Sequence, residues 1–206
     1  ANVISSSQVT LSRPRTREEY ETLIDSNVEE CERLQRMIEN MLFLARTDNA
    51  RQHLKFSSLD AASELGRLAS YFQSIADDKS VTIVVKGNAQ ISADATLFRR
   101  AIGNLISNAL DHASAGSTVM LASFHSSGHA IVEVTNQGRP IPPEHMDRIF
   151  ERFYRIDTSR HGSSENAGLG LAIVKSIMEL HRGAAGVRSS ELGTTFTLRF
   201  PQSRAA

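Results

Sequence analysis

Residues Arg99–Ser114, RRAIGNLISNALDHAS, decide how the rest of the chain is read. Phe98, Ile102, Leu105 and Ala109 recur at the spacing of one helical face and predict a helix anchored in a core. Asn104 and Asn108 lie one turn apart, so their side chains stack along the edge of that apolar stripe. Amide oxygens there can accept from a donor or ligate a hard cation such as Mg²⁺. Two surface amides on an ordinary helix satisfy the same pattern, and this stretch alone leaves both readings open. Asp94 just upstream predicts the helix N-cap.

On either side of this helix the chain reads as mixed α/β. Residues 60–77 carry helical spacing through Leu65, Leu68, Phe72 and Ile75, and strands are predicted at Val81–Lys86 and Gln90–Ser92. Thr118–Phe124 and Ala130–Thr135 form a predicted hairpin turned by SSGH. Ala185–Ser190 and Thr194–Phe200 form another, closed at Leu192-Gly193. Irregular alternation with hairpins predicts an α+β unit in which one helix layer covers a mixed sheet, not a doubly wound nucleotide fold.

The N-terminal part is helical. Residues 1–12 are stopped at Arg13-Pro14-Arg15, and Thr16-Arg17-Glu18-Glu19 is a capping box. Tyr20, Ile24, Asn27, Cys31, Leu34, Ile38, Met41 and Ala45 then repeat with 4-3 spacing, the signature of a bundle seam. Leu23, Met37 and Leu44 widen the stripe towards four-helix packing, and Asn27 inside the seam is a register device. A helix with such a seam needs a partner, which predicts a homodimer of two hairpins. The polar run Thr47–Ser58 places the boundary near residue 55: residues 1–55 form the hairpin, 56–206 the α/β unit.

Composition narrows the function. The 206 residues are 40% apolar with zero formal net charge, so the global basic field of a nucleic-acid binder is missing. One cysteine, Cys31, rules out a disulfide framework within the chain and any multi-cysteine metal site. No apolar run reaches the length of a membrane span, and the first residues do not read as a signal peptide. Nor does the sequence begin with methionine, and the chain is expected to be a piece of something longer.

Three loop motifs follow the asparagine helix. Asn136-Gln137-Gly138-Arg139-Pro140-Ile141 ends a strand. It suits either the reading of a base edge beside a close backbone approach at Gly138, or a plain turn into the helix begun at Pro142-Pro143-Glu144. Phe150-Glu151-Arg152-Phe153-Tyr154-Arg155 precedes a polar run from Thr158 to Asn166. Aromatics would fasten the stem of that run while Arg155 and Arg160 reach an anion, or remain solvated. Ala167-Gly168-Leu169-Gly170-Leu171 opens an apolar helix, offering backbone amides to a phosphate or simply starting a helix after glycine.

Taken as an ordered set, these motifs and Gly193-Thr194-Thr195-Phe196 resemble the N, G1, F, G2 and G3 boxes of the sensor histidine kinases. Those kinases share the Bergerat-type ATPase fold with Hsp90, MutL and type II topoisomerases. The resemblance spans the chain: residues 1–55 match a truncated dimerisation and histidine-phosphotransfer hairpin, and residues 56–206 the catalytic ATP-binding domain. MLFLARTDN, RFYRIDTSR and NQGRPIPPEH look closest to the copper and other heavy-metal sensors of bacterial two-component systems.

The resemblance implies ATP and Mg²⁺ as cofactors, with Asn108 as the Mg²⁺ ligand and Asn104 supporting it. It implies that Asn136 accepts from the adenine amino group, that His112 stacks on adenine or is a surface histidine, and that Gly138, Ile141 and Thr195 contact the nucleotide. Phe150 and Phe153 would hold the lid stem, and Gly168, Leu169, Gly170 and Leu171 would approach the phosphates. Arg155 and Arg160 join the asparagines as catalytic residues. The implied partners are a second copy of the chain and a response-regulator receiver domain, with no nucleic acid. The membrane would be reached only through upstream segments, so the chain is expected to be the cytoplasmic portion of a bacterial inner-membrane protein.

This sequence departs from the family pattern at several positions. Asn136 stands where an aspartate is usual, and Pro140 replaces a glycine. Asp111-His112 replaces a basic residue followed by an aromatic, so Asp111 must point away from a triphosphate or be compensated. None of the seven histidines, His53, His112, His125, His129, His145, His161 and His181, lies in an H-E-x-R-T-P-L context. The phosphoacceptor is expected just before Ala1, and the chain is expected to bind Mg-ATP without phosphorylating itself. The rival readings are an ATP-hydrolysing clamp and a catalytically inactive dimeric interaction module.

Overall fold

The computed structural model describes residues 3–46, 54–156 and 168–201. The chain clusters into two compact units, Ala1–Leu42 and Phe43–Ala206.

The first unit is built from α1 (Val3–Leu11) and all but the last turn of α2 (Arg17–Arg46). The capping box forms as expected at the start of α2: Glu19 N–H donates to Thr16 Oγ1 at 3.2 Å, and Thr16 N–H donates to Glu19 Oε2 at 2.8 Å. Asn27 of the seam donates to Ser7 Oγ at 3.1 Å, a polar contact between α1 and α2. Ile24, Leu34, Ile38 and Met41 of the heptad line stay exposed.

The second unit is an α/β sandwich. Strands β2 (Thr82–Gly87), β4 (Thr118–Ser126), β5 (His129–Asn136), β6 (Ala184–Ser190) and β7 (Gly193–Pro201) form one sheet in the order β2-β4-β5-β7-β6. The β2–β4 pair is parallel and the others antiparallel. Helices α3 (Ala61–Asp78), α4 (Ala95–His112) and α6 (Gly170–Leu180) supply the apolar layer, and α5 (Pro143–Met146) is a single turn. Ser127 and Gly128, both at positive φ, make the β4–β5 turn.

Alternation along the strands turns Val132, Val134, Phe196, Leu198 and Phe200 into the core, where they meet Phe98, Ile102, Leu105 and Ala109 of α4. The rings of Phe98 and Phe200 lie 5.7 Å apart. Asp94 caps α4 by accepting from Thr96 and Leu97 N–H, and also from Lys55 N–H. Burial raises its pKa, but those backbone donors outweigh it and hold the carboxyl below the usual range.

One strand is absent from the sequence reading. Phe56–Asp60 forms β1 and pairs antiparallel with β3 (Gln90–Asp94) in a separate two-stranded ribbon. FSSLD lacks a strong alternation, and the pairing across 30 to 38 residues creates the strand.

Glu64 of α3 clamps α4 through a bidentate pair with Arg99, 2.6 and 3.0 Å, and also meets Arg67 at 3.2 Å. The Arg99 hydrogen bonds lower its pKa against the effect of burial. Because Arg99 is half exposed, Glu64→Ala is expected to cost about 1–2 kcal/mol, less than a fully buried pair. Urea unfolding of the two proteins side by side measures it.

Candidate nucleotide site

The site forms where α4, the loop after β5 and the start of α6 meet. Asn104, Asn108, Asp111 and His112 project from one face of α4, Asn108 four residues after Asn104 and Asp111 and His112 three and four residues after Asn108. All four line a cavity of about 420 Å³, together with Asn136, Pro140 and Ile141 of the loop, Arg155, and Gly168, Gly170 and Leu171 at the head of α6. The three segments singled out in the sequence thus share one concavity.

Close backbone approaches hold it together. A Cβ on Gly138 would lie 1.9 Å from the His112 carbonyl oxygen, so this loop can pass the end of α4 only as glycine. Ser114 N–H donates to the Gln137 carbonyl at 2.8 Å on the same line. A Cβ on Gly170 would stand 3.1 Å from Asn104 Oδ1, which brings the first turn of α6 against the amide pair. The Asn104 amide N–H2 donates back to the Arg100 carbonyl at 2.8 Å, fixing the rotamer that aims Oδ1 at Gly170.

The far wall belongs to β5 and β7. Asn136 is buried at the end of β5, opposite Thr194 in the ladder. Thr194 and Ser189 hydroxyls share a 2.6 Å hydrogen bond, and Ser189 Oγ accepts from Ile141 N–H at 2.9 Å. The sheet thereby fixes the loop that follows Asn136.

Several expected residues stand elsewhere. Thr195 points to the opposite face of β7, its hydroxyl 2.9 Å from that of Thr135, and Thr194 lines the cavity instead. Strand alternation was the missed signal: position 194 shares a face with Phe196, and position 195 cannot. Phe153 does not fasten the stem with its ring, which is exposed. It sits at positive φ and contributes its N–H to the Gly168 carbonyl at 2.9 Å. Tyr154 takes the anchoring role, its hydroxyl bonded to His145 Nδ1 and its ring 4.4 Å beneath the Arg148 guanidinium. Phe150 packs edge-on to Phe196 at 6.3 Å, behind the cavity wall, and Leu169 is buried below it. Arg160 lies outside the described residues.

Asp111 faces the cavity with its charge compensated, but not by an arginine. Lys79, at the C-cap of α3, donates to Asp111 Oδ1 at 2.7 Å. With Arg139 and Arg155 on the wall, the cavity carries two further cationic side chains. Neutral amides at one end, guanidiniums at the rim and a buried acceptor-donor at Asn136 suit a ligand with a polyanionic tail and a planar polar head.

Residues 93–204 match the model of a family described as the histidine kinase-, DNA gyrase B- and HSP90-like ATPases. The chain belongs to this ATPase family. Among its relatives, the sensor protein IrlS of Burkholderia pseudomallei is 51% identical over 205 residues, 99% of this chain and 44% of that protein. The sensor histidine kinase CusS of Escherichia coli K12 is 39% identical over 201 residues, 97% of this chain and 42% of that one. The chain therefore spans less than half the length of these ATPase relatives. Among solved structures, full-length ShkA in complex with AMPPNP superposes with a TM-score of 0.78 at 26% identity, over 92% of this chain and 40% of that one. The histidine kinase-like ATPase fold is thus shared beyond the immediate relatives, and the helical part that precedes it is shared with them.

Proposed function

We propose that this chain is the ATP-binding catalytic region of a sensor histidine kinase, acting with Mg²⁺. In the whole protein the γ-phosphoryl group of ATP would pass to a histidine ring nitrogen and then to a response-regulator aspartate. The observation that carries the reading is the juxtaposition of Asn104, Asn108 and Gly170 in the same cavity as Asn136. Neutral amide oxygens suit Mg²⁺, which keeps several waters and takes its counter-charge from phosphates. The absent Cβ of Gly170 leaves room beside Asn104 Oδ1. Asn108 would be the protein ligand and Asn104 its support. When bound, Mg²⁺ would supply neutralisation of the phosphate charge.

The chain's own residues would do the positioning. Asn136 would accept from the adenine amino group, His112 and Ile141 would flank the ring, and Arg155 would sit over the phosphates with the amides of Gly168 and Leu171 nearby. Among the described residues no group of three or more His, Cys, Asp or Glu side chains is placed to hold a metal ion. A metal signal, copper by the resemblance of the three quoted stretches, would be sensed by other parts of the protein. The exposed seam of α2 supports a homodimer that buries it as a four-helix bundle. No helix among the described residues is long and apolar enough to cross a membrane. Attachment to a bacterial inner membrane, with this region on the cytoplasmic side, would run through upstream segments.

The clamp reading finds no support at position 104, where an amide bonded to its own helix cannot take a proton from water. Calorimetric titration with Mg-AMPPNP is expected to show one site per chain. Asn108→Ala is expected to weaken it at least about tenfold, the size of one lost metal contact. A folded chain that binds no nucleotide would leave only the interaction-module reading. With radiolabelled ATP the same chain is expected to take up no acid-labile phosphate.

A further inference from the structure

Among the described residues lining the cavity, Asp111 is the one carboxylate. It follows Asn108 by three positions on α4 and precedes His112, whose carbonyl meets Gly138. It therefore lies between the amide pair and the end of the cavity closed by the Asn136 loop. Lys79 donates to Asp111 Oδ1 at 2.7 Å and to the Leu110 carbonyl at 3.3 Å. The ammonium pins the side chain and cancels its charge towards a polyanion, yet uses only one of the roughly four acceptor positions a carboxylate offers. The rest require donors. Phosphate oxygens are themselves acceptors and cannot satisfy those positions. The donors of ATP are the adenine amino group and the two ribose hydroxyls, and the amino group falls to Asn136.

We infer that Asp111, held by Lys79, accepts hydrogen bonds from the ribose hydroxyls and makes this site selective for ribonucleotides over deoxyribonucleotides. The inference rests on the ATP-site reading and adds the sugar contact to it. The pair is partly exposed, 38% for Lys79 and 21% for Asp111, so it can be removed without opening the core.

The test is competition of ATP, 2′-deoxy-ATP and 3′-deoxy-ATP, each with Mg²⁺, for the full chain. The wild-type chain is expected to prefer ATP over at least one deoxy analogue by about tenfold, the worth of one hydrogen bond to a charged group. Asp111→Ala is expected to bind ATP more weakly and to lose that preference to within about twofold. Asp111→Asn, which keeps the shape and one acceptor, is expected to fall between, and circular dichroism checks that both variants fold. Equal affinity of the wild-type chain for all three nucleotides overturns the sugar contact. So does an Asp111→Ala variant that keeps the preference or binds ATP more tightly. A wild-type chain that binds none of the three sinks the ATP-site reading itself, a result distinguishable from failure of the sugar contact alone.

Discussion

Gly138→Ala is expected to lower nucleotide affinity by about a hundredfold or more, because a displacement of about 1 Å at a positioned site is worth that much. The added methyl would overlap the His112 carbonyl oxygen at 1.9 Å, and neither partner is a flexible side-chain tip. Either the loop lifts, moving Asn136, Pro140 and Ile141 off the wall, or the end of α4 retreats and takes His112 and Asp111 with it. Both routes strain the Ser114-to-Gln137 hydrogen bond at the same junction. The contact lies at the last residue of α4 and in the loop after β5, outside the buried core, so the circular dichroism spectrum should stay native while calorimetry with Mg-AMPPNP loses its signal. A variant that binds as wild type would show that the loop is not rigidly placed.

His181→Ala is expected to have the largest effect on stability, about 3 kcal/mol, combining a cavity with a lost pair of buried hydrogen bonds. For a unit of this size that corresponds to a fall in Tm of roughly 6–12 °C. His181 is buried at the C-terminal end of α6, where Nδ1–H donates to the Ile177 carbonyl at 2.8 Å and Nε2 accepts from Asp94 N–H at 3.0 Å. Its ring also stands edge-on to Phe56 and Phe200. One imidazole thus joins the end of α6 to the start of α4, the two helices that carry the site.

Both nitrogens are committed in the neutral form, and a second ring proton would face the Asp94 N–H. Burial pushes the His181 pKa down, against smaller upward pulls from the Ile177 carbonyl and the Asp94 carboxylate. The native chain therefore binds fewer protons at His181 than the unfolded chain does. This contribution is complete above the unfolded value of about 6.5 and is lost as pH falls through the lower folded value. Melting temperatures of the wild-type chain should drop between about pH 7.5 and 5. His181→Ala should lack that part of the drop; an identical pH dependence in the two proteins would remove His181 as its source.

The signals legible in the sequence were those carried over a few residues. The capping box of α2 and the Asp94 cap depend on spacings of two and three, and both form. The apolar face of α4 and the period of the sheet strands are likewise local, and they place Phe98, Ile102, Val134 and Phe196 in the core. The amide pair, the Asn136 loop and the glycine-led helix stood out by residue type, and all three reach one cavity. Strand alternation puts Thr194, and not Thr195, on the cavity face. The residue type of Phe153 suggests an anchoring ring, but its positive φ passes that role to Tyr154.

Helix and strand periods, capping and turn chemistry and the heptad seam are legible in the residues alone, because each rests on backbone geometry repeating every two to seven residues. That FSSLD becomes a strand, that Lys79 neutralises Asp111 across 32 positions and that His181 bonds Asp94 across 87 follow from the packed fold. Those contacts come from packing one helix layer on one sheet, where a side chain's partner is set by which surfaces meet and not by distance along the chain.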